Sequence, residues 1–329
     1  WQKRNQLRMK RTKETEDRGF KMRMNQPGSN QILGFFLVFL IFTFSFGNPG
    51  MSQDARELIY QNRIQENATK TSFSRVKMTT CKYKIQGKKI RCTEQPRVKM
   101  LESIFKNYSN IGKNGKQDRK SVSIILSPKA EKGIGMLNYS YQSDEKDDDI
   151  WMYFSSLGKV RRITSSNKNQ DEPASGSLFG SEFSSEDING TPIDDYQYKI
   201  LKSIQYKGNE TWVIEQIPNA KRLRKSRYSK TLIWMDQERK IIPKWVTYNR
   251  QGKPFKLFNK DRWNQKDGVW MADLTSVKNL ITRRKTSIIT LQENLNVPIE
   301  NENYFSQRVL TDGVFQDRLF KKMHQRVNE

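Results

Sequence analysis

Ile150-Trp-Met-Tyr-Phe154, Ser156-Leu-Gly-Lys-Val-Arg-Arg-Ile163 and Gly180-Ser-Glu-Phe-Ser-Ser-Glu-Asp-Ile188 decide how this chain of 329 residues is read. The first stretch is an aromatic-rich strand that runs into a Leu157-Gly158 turn. A short basic strand follows, with Val160 and Ile163 as its apolar anchors. Then comes a loop of about sixteen residues rich in Ser, Asn, Gly and Pro, longer than a plain connection needs. The chain returns with Phe179 and Phe183 beside the acidic pair Glu186 and Asp187. A long loop that ends in phenylalanines is either unstructured or a lid over an apolar site.

Around this centre the chain reads as many short strands separated by turn signals. They include Arg75–Ile85, 88–92, Val122–Leu126, Ile134–Tyr139, Tyr196–Ile204, Thr211–Ile217, Lys230–Met235, Ile242–Tyr248 and Phe255–Trp263. Val269–Asp273, Val277–Thr282 and Thr286–Leu291 complete the series. Turns such as Lys207-Gly-Asn209, Asn249-Arg-Gln-Gly252 and Gln265-Lys-Asp-Gly268 separate neighbours by only a few residues, which implies antiparallel hairpins and not crossovers. Ser103–Lys120 reads as an insert or a loop, and Ser143–Asp149, with its aspartates, as a solvated hairpin tip. One helix stands out at Asp54–Gln65, capped by Ser52 or Asp54 and striped by Ala55, Leu58, Ile59 and Ile64. The final residues read as a charged basic tail.

The N-terminal end has the layout of a leader. Residues 1–21 carry no apolar pattern and read as an upstream extension, with Met22 or Met24 as the start. Ile32–Phe46 is an apolar run of fifteen positions, preceded by Lys21 and Arg23 and followed by small residues around Gly47. That is a secretory signal peptide cleaved near Gly47, the alternative being an uncleaved anchor; a spanning helix needs about 20 apolar residues. Residues 48–329 are then one exported domain in the periplasm.

Residues 1–47 hold nine Lys/Arg and three Asp/Glu, so +19 of the net charge of +25 stays with the rest. Basic residues alternate with apolar ones, as at Lys82, Lys84, Lys89, Arg91 and Lys99, which is the solvated face of a sheet and not a nucleic-acid footprint. An anionic membrane surface fits that charge better than nucleic acid. The two cysteines, Cys81 and Cys92, flank a hairpin. With Gln86-Gly87 as its turn, Cys81 faces Cys92 and Tyr83 faces Ile90, so a cross-strand disulfide is feasible in an oxidising compartment.

The order of the opening segments resembles the outer-membrane lipoprotein-sorting family, the LolA-like carriers, with a W-x-Y strand, an R-R-I strand and a G-S-acid-F…E-D segment. Ser155 or Ser156 stands where that pattern has proline, and Ser185 where it has tyrosine. Tyr228-Ser-Lys-Thr-Leu-Ile-Trp-Met-Asp236, the Pro243…Tyr248-Asn-Arg-Gln-Gly-Lys253 stretch and Lys266-Asp-Gly-Val-Trp270 extend the resemblance to residues 54–310. It implies a mainly β fold with a few helices: a strongly curved antiparallel sheet, an unclosed half-barrel wrapped around helices, with an apolar cavity for acyl chains.

Catalysis finds little support. The single histidine, His324, lies near the C-terminus, which removes Ser-His-Asp and Cys-His triads and His-based zinc sites. There is no CxxC, phosphate loop or HExxH. Glu182, Glu186 and Asp187 form an acid/base pair only if they converge in a cleft; otherwise they pair with Arg161, Arg162 or nearby lysines. The expectation is a non-enzymatic periplasmic carrier, without cofactor or metal, that takes lipoprotein acyl chains or another envelope lipid from an inner-membrane export complex to an outer-membrane acceptor. A lipid-sensing regulatory module on the same fold is the alternative, and a carboxylate-based envelope hydrolase a more distant one. Met136, Trp151, Tyr153, Trp212, Ile214, Ile233, Met235, Trp245 and Val246 are expected to line the cavity. Thr164–Asp187 is expected to be a mobile lid, with Leu178, Phe179 and Phe183 covering the mouth, Gly176 and Gly180 as hinges, and Arg161 and Arg162 latching Glu182, Glu186 or Asp187.

Overall fold

In the computed structural model the described residues are 54–87, 89–154, 158–163, 177–188 and 190–328. They belong to one compact unit, Met51–Glu329. The expected leader and the segment 164–176, including the Gly176 hinge, lie outside the described residues.

One unclosed antiparallel sheet of fourteen strands dominates the fold. Its first wing holds β1 (Thr71–Gln86), β2 (Lys89–Cys92), β3 (Arg97–Asn107), β4 (Arg119–Ser127), β5 (Gly135–Ser140), β6 (Asp149–Phe154) and β7 (Lys159–Arg162). The second holds β8 (Tyr196–Tyr206), β9 (Asn209–Pro218), β10 (Tyr228–Asp236), β11 (Lys244–Asn249), β12 (Pro254–Lys266), β13 (Val269–Asn279) and β14 (Arg284–Leu295). The path runs β7-β6-β5-β4-β3-β1-β14-β13-β12-β11-β10-β9-β8, with β2 paired to β1 alone. Each wing is a simple meander, and β1 with β14 joins them. The turns expected at 207–209 and 265–268 close hairpins: Lys207-Gly208 and Asp267-Gly268 each place two successive residues at positive φ, the twist that two-residue hairpin turns require.

The helices are α1 (Ala55–Glu66), α2 (Ser185–Ile188), α3 (Ala220–Lys225), α4 (Arg308–Thr311) and α5 (Gly313–Asn328). Asp54 caps α1 by accepting from the Arg56 amide at 2.9 Å, and Ala55, Leu58, Ile59 and Asn62 are buried while Ile64 is exposed. Residue parity then divides the sheet into two faces. On the front, cross-strand partners Ile214, Ile233, Trp245, Phe258, Val277, Thr286 and Thr80 form one row. α1 packs on it over Ile214, Ile233 and Met235. On the back, Phe73, Ile104, Val122, Leu137 and Trp151 form another row. It is covered by Leu310 of α4 and by Leu319, Phe320 and Met323 of α5.

Four expectations need correction. The residues read as a basic tail contain α5, which is part of the core. Ser103–Lys120 is not an insert throughout: Ser103–Asn107 completes β3 and Arg119-Lys120 opens β4. The aspartate-rich tip is not solvated as a whole, since Asp148 and Asp149 are buried. Finally, the first hairpin is in another register. Tyr83 faces Cys92 and Ile85 faces Ile90, so the disulfide that joins Cys81 to Cys92, with a Cα–Cα distance of 5.8 Å, runs diagonally and not between opposed residues.

Candidate functional site

A cavity of about 370 Å³ lies between the front of the second wing, α1 and the segment 177–188. Ile233, Ile242 and Trp245 form its floor, Ile59 of α1 one wall, and Phe183 and Ile188 the other. Trp245 stacks on Phe258 with centroids 4.6 Å apart and planes within 5°, and Phe183 approaches the same Phe258 ring at 6.1 Å. Arg63, Glu66, Glu186, Asp187, Lys230 and Lys260 share the lining, so an apolar floor lies within charged walls.

The segment 177–188 positions that wall. Ser177 bridges Ser184, and Leu178 donates its amide to the Phe183 carbonyl. Phe179 and Gly180 both take positive φ, so the chain reverses tightly. Leu178 drops into a cluster with Met136, Ile150 and Met152 on the front of the first wing, and Phe179 packs beside it. The segment therefore bridges both wings, with Phe179 on one and Phe183 on the other.

Its acids are tied down, though not by the expected arginines. Asp187 accepts from the Ser184 amide at 2.7 Å and hydroxyl at 2.8 Å, from Lys256 Nζ at 2.6 Å and from the Tyr228 hydroxyl at 2.5 Å. The Asp187 and Lys256 side chains are 2% and 3% exposed. Burial first, and the Asp187 carboxylate second, push the Tyr228 hydroxyl well above its ordinary pKa, so it stays a donor. Glu186 meets Arg222 at 3.3 Å and the Arg227 amide at 3.1 Å. Glu182 accepts from Arg284 Nε at 2.7 Å and Asn279 Nδ2 at 3.0 Å. Arg162 pairs instead with Asp149, and Arg161 is exposed. The three acids hold the segment in place, through Arg284 and Asn279, Arg222 and Arg227, and Lys256 and Tyr228 respectively.

The nine candidate lining residues separate by face. Ile233 and Trp245 line the cavity. Trp212, Ile214 and Met235 share the front face but pack under α1, and Met136 packs under Leu178. Trp151 and Tyr153 belong to the back, against the cluster that holds α5, where Trp151 meets Tyr139 at 4.9 Å. Val246, one residue from Trp245, also faces the back. The sequence reading missed Ile59, Ile242, Phe258, Tyr228 and Lys256. Tyr228 stood within a quoted motif, and Lys256 and Phe258 alternate on one strand face, which was the available signal.

A family model described as an uncharacterized protein matches residues 117–312, more than half of the chain. A candidate outer membrane lipoprotein-sorting protein domain from Vibrio parahaemolyticus superposes with a TM-score of 0.64 at 25% identity, over 78% of this chain and 98% of that one. A LolA superfamily protein from Nitrosomonas europaea superposes with a TM-score of 0.55 at 14% identity, over 77% and 97%. The chain belongs to the family of that model, and its fold is LolA-like. A DUF1329 family protein from Desulfovibrio piger shares the LolA-like fold, with a TM-score of 0.63 and 23% identity over 78% of this chain and 99% of its own. No curated protein matches by sequence. Among the described residues no helix of this LolA-like chain is long and apolar enough to cross a membrane.

Proposed function

We propose that this LolA-like chain is a non-enzymatic periplasmic carrier that takes lipoprotein acyl chains, or a related envelope lipid, into the front-face cavity. It would receive them from an inner-membrane export complex and pass them to an outer-membrane acceptor. The observation that carries this reading is the cavity walled by Ile59, Phe183, Ile233, Ile242 and Trp245 on an unclosed sheet. Each methylene removed from water contributes about 0.8 kcal/mol, so a dozen offer on the order of 10 kcal/mol before ordering costs. His324, at 2.8 Å from Glu102, serves to dock α5.

Mass spectrometry of lipid extracted from the purified protein tests this, together with quenching of Trp245 by a brominated fatty acid. We expect co-purified acyl lipid and saturable quenching, both abolished in Ile233→Trp, which fills the floor. A lipid-free protein whose tryptophan fluorescence is indifferent to the brominated acid would overturn the reading.

A further inference from the structure

A second chamber, of about 450 Å³, adjoins the first cavity. Arg63, Glu66 and Ile188 line both, so the two spaces share a wall. The second is built on the front of β3–β5 and closed by the loop 108–118, which tucks against α1. Gly115 makes that approach: its φ is +72°, and a Cβ there would stand 2.4 Å from Ile193 Cδ1. Arg63 holds the loop by donating to the Gly115 carbonyl at 3.1 Å and to the Thr191 carbonyl at 2.5 Å.

The groups facing this chamber are unbalanced in two respects. The first is charge. Arg119 donates Nε to Asn107 Oδ1 at 2.6 Å and Nη2 to Asn67 Oδ1 at 2.5 Å, and its guanidinium lies 4.5 Å from the Phe105 ring centre. Those partners are neutral. Among the described residues neither Arg119 nor Arg63 has a carboxylate at ion-pair distance, and Glu66, the one acid of the lining, is held by Lys260 at 2.7 Å. Lys116 also lines the chamber, but its Nζ donates to the Ser143 and Lys146 carbonyls at 2.9 and 3.4 Å. Burial lowers the Arg119 pKa to about 10, which leaves it charged at neutral pH. The second is hydrogen bonding. Gln117 Nε2 and Asn138 Oδ1 are buried without a protein partner, on side chains that are each 6% exposed and line the chamber. An unpaired buried amide and a cation with spare donors are each unfavourable unless something occupies the space. With Nε and Nη2 engaged and its face stacked, the Arg119 guanidinium keeps Nη1 as a donor for an oxyanion.

We propose that this chamber binds the anionic group of an amphiphile, a phosphate or carboxylate, while the chain of that amphiphile lies in the adjoining cavity. The proposal rests on the carrier reading for the position of the chain, and on Arg119, Arg63 and Gln117 for the headgroup. It makes the ligand an acidic lipid rather than any apolar chain of suitable volume.

Calorimetric titration of the full chain with decyl phosphate, decanol and inorganic phosphate tests it. Decyl phosphate should bind about tenfold tighter than decanol, and Arg119→Gln should remove that preference while leaving decanol unchanged. Gln117→Leu removes an amide with no protein partner, so it should fold normally and still weaken decyl phosphate several-fold. Inorganic phosphate that binds as tightly as decyl phosphate, with the same dependence on Arg119, would keep the anion site and assign it to a free oxyanion. If no phosphate compound responds to either substitution, the chamber holds water only and the inference is overturned. Decanol then reports separately on the carrier reading, which stands if it binds and falls if it does not.

Discussion

Asp187 shows how one side chain can hold a wall of the site. Its carboxylate answers Lys256, Tyr228 and the Ser184 amide and hydroxyl at once, in a place from which water is almost excluded. Removing the charge would leave Lys256 buried without a counter-ion, and breaking one side of a buried pair costs on the order of 3 kcal/mol. Asp187→Asn should therefore lower the unfolding free energy by that amount, and adding Lys256→Met should recover part of it; an additive double variant would contradict this coupling. Glu293 makes the opposite case. Burial raises its carboxyl to about 7. The folded chain then keeps a proton that the unfolded chain releases near the ordinary 4.5, so stability falls as pH rises through that window. Glu293→Gln should match the parent at pH 4.5 and exceed it by about 1 kcal/mol at pH 8, the value being reduced by solvent screening of a partly exposed group. A difference that does not vary with pH would refute the assignment.

At the scale of elements, the segment 177–188 separates the roles of two phenylalanines that the sequence treats alike. Phe183 lines the cavity, whereas Phe179 packs into the first wing. Phe183→Ser should weaken binding of a brominated fatty acid with little loss of stability. Phe179→Ser should cost about 3 kcal/mol of stability and leave affinity in place. Equal effects on binding would return both residues to a single lid. The diagonal Cys81–Cys92 bridge makes its own prediction: a serine pair in its place should lose about 2–3 kcal/mol, read from denaturation with and without reductant. The alternating strands and α1 were legible because period-2 and period-3.6 patterns survive where only one face is buried. Face assignment was not legible in the first wing, where α5 covers the back and the segment 177–188 covers the front. Trp151 and Met152 are then both apolar while pointing in opposite directions, and alternation disappears. β3 was obscured by the polar residues of RVKMLESIFKN, some of which, such as Glu102, are buried in ion pairs. α5 did carry a signal, Phe315, Leu319, Phe320, Met323 and Val327 at helical spacing, masked by the charged residues between them.

At the scale of the whole molecule, among the described residues the sheet does not close, and β7 and β8 are each hydrogen-bonded to a strand on one side only. An unpaired strand edge is a template on which another chain can add. Each edge carries a deterrent. Lys159, Arg161 and Arg162 are exposed on β7, and Lys199 and Lys202 on β8, where they flank Leu201, itself 45% exposed. Two copies that approach edge to edge would bring like charges together at strand spacing, so the positive charge is expected to oppose edge-to-edge association. Screening weakens such repulsion once the Debye length falls to about 3 Å, near 1 M salt. Light scattering should therefore report self-association of Lys199→Val/Lys202→Val at low salt, where the parent chain stays dispersed, and a variant that remains equally dispersed would show that the edges are guarded by shape and not by charge.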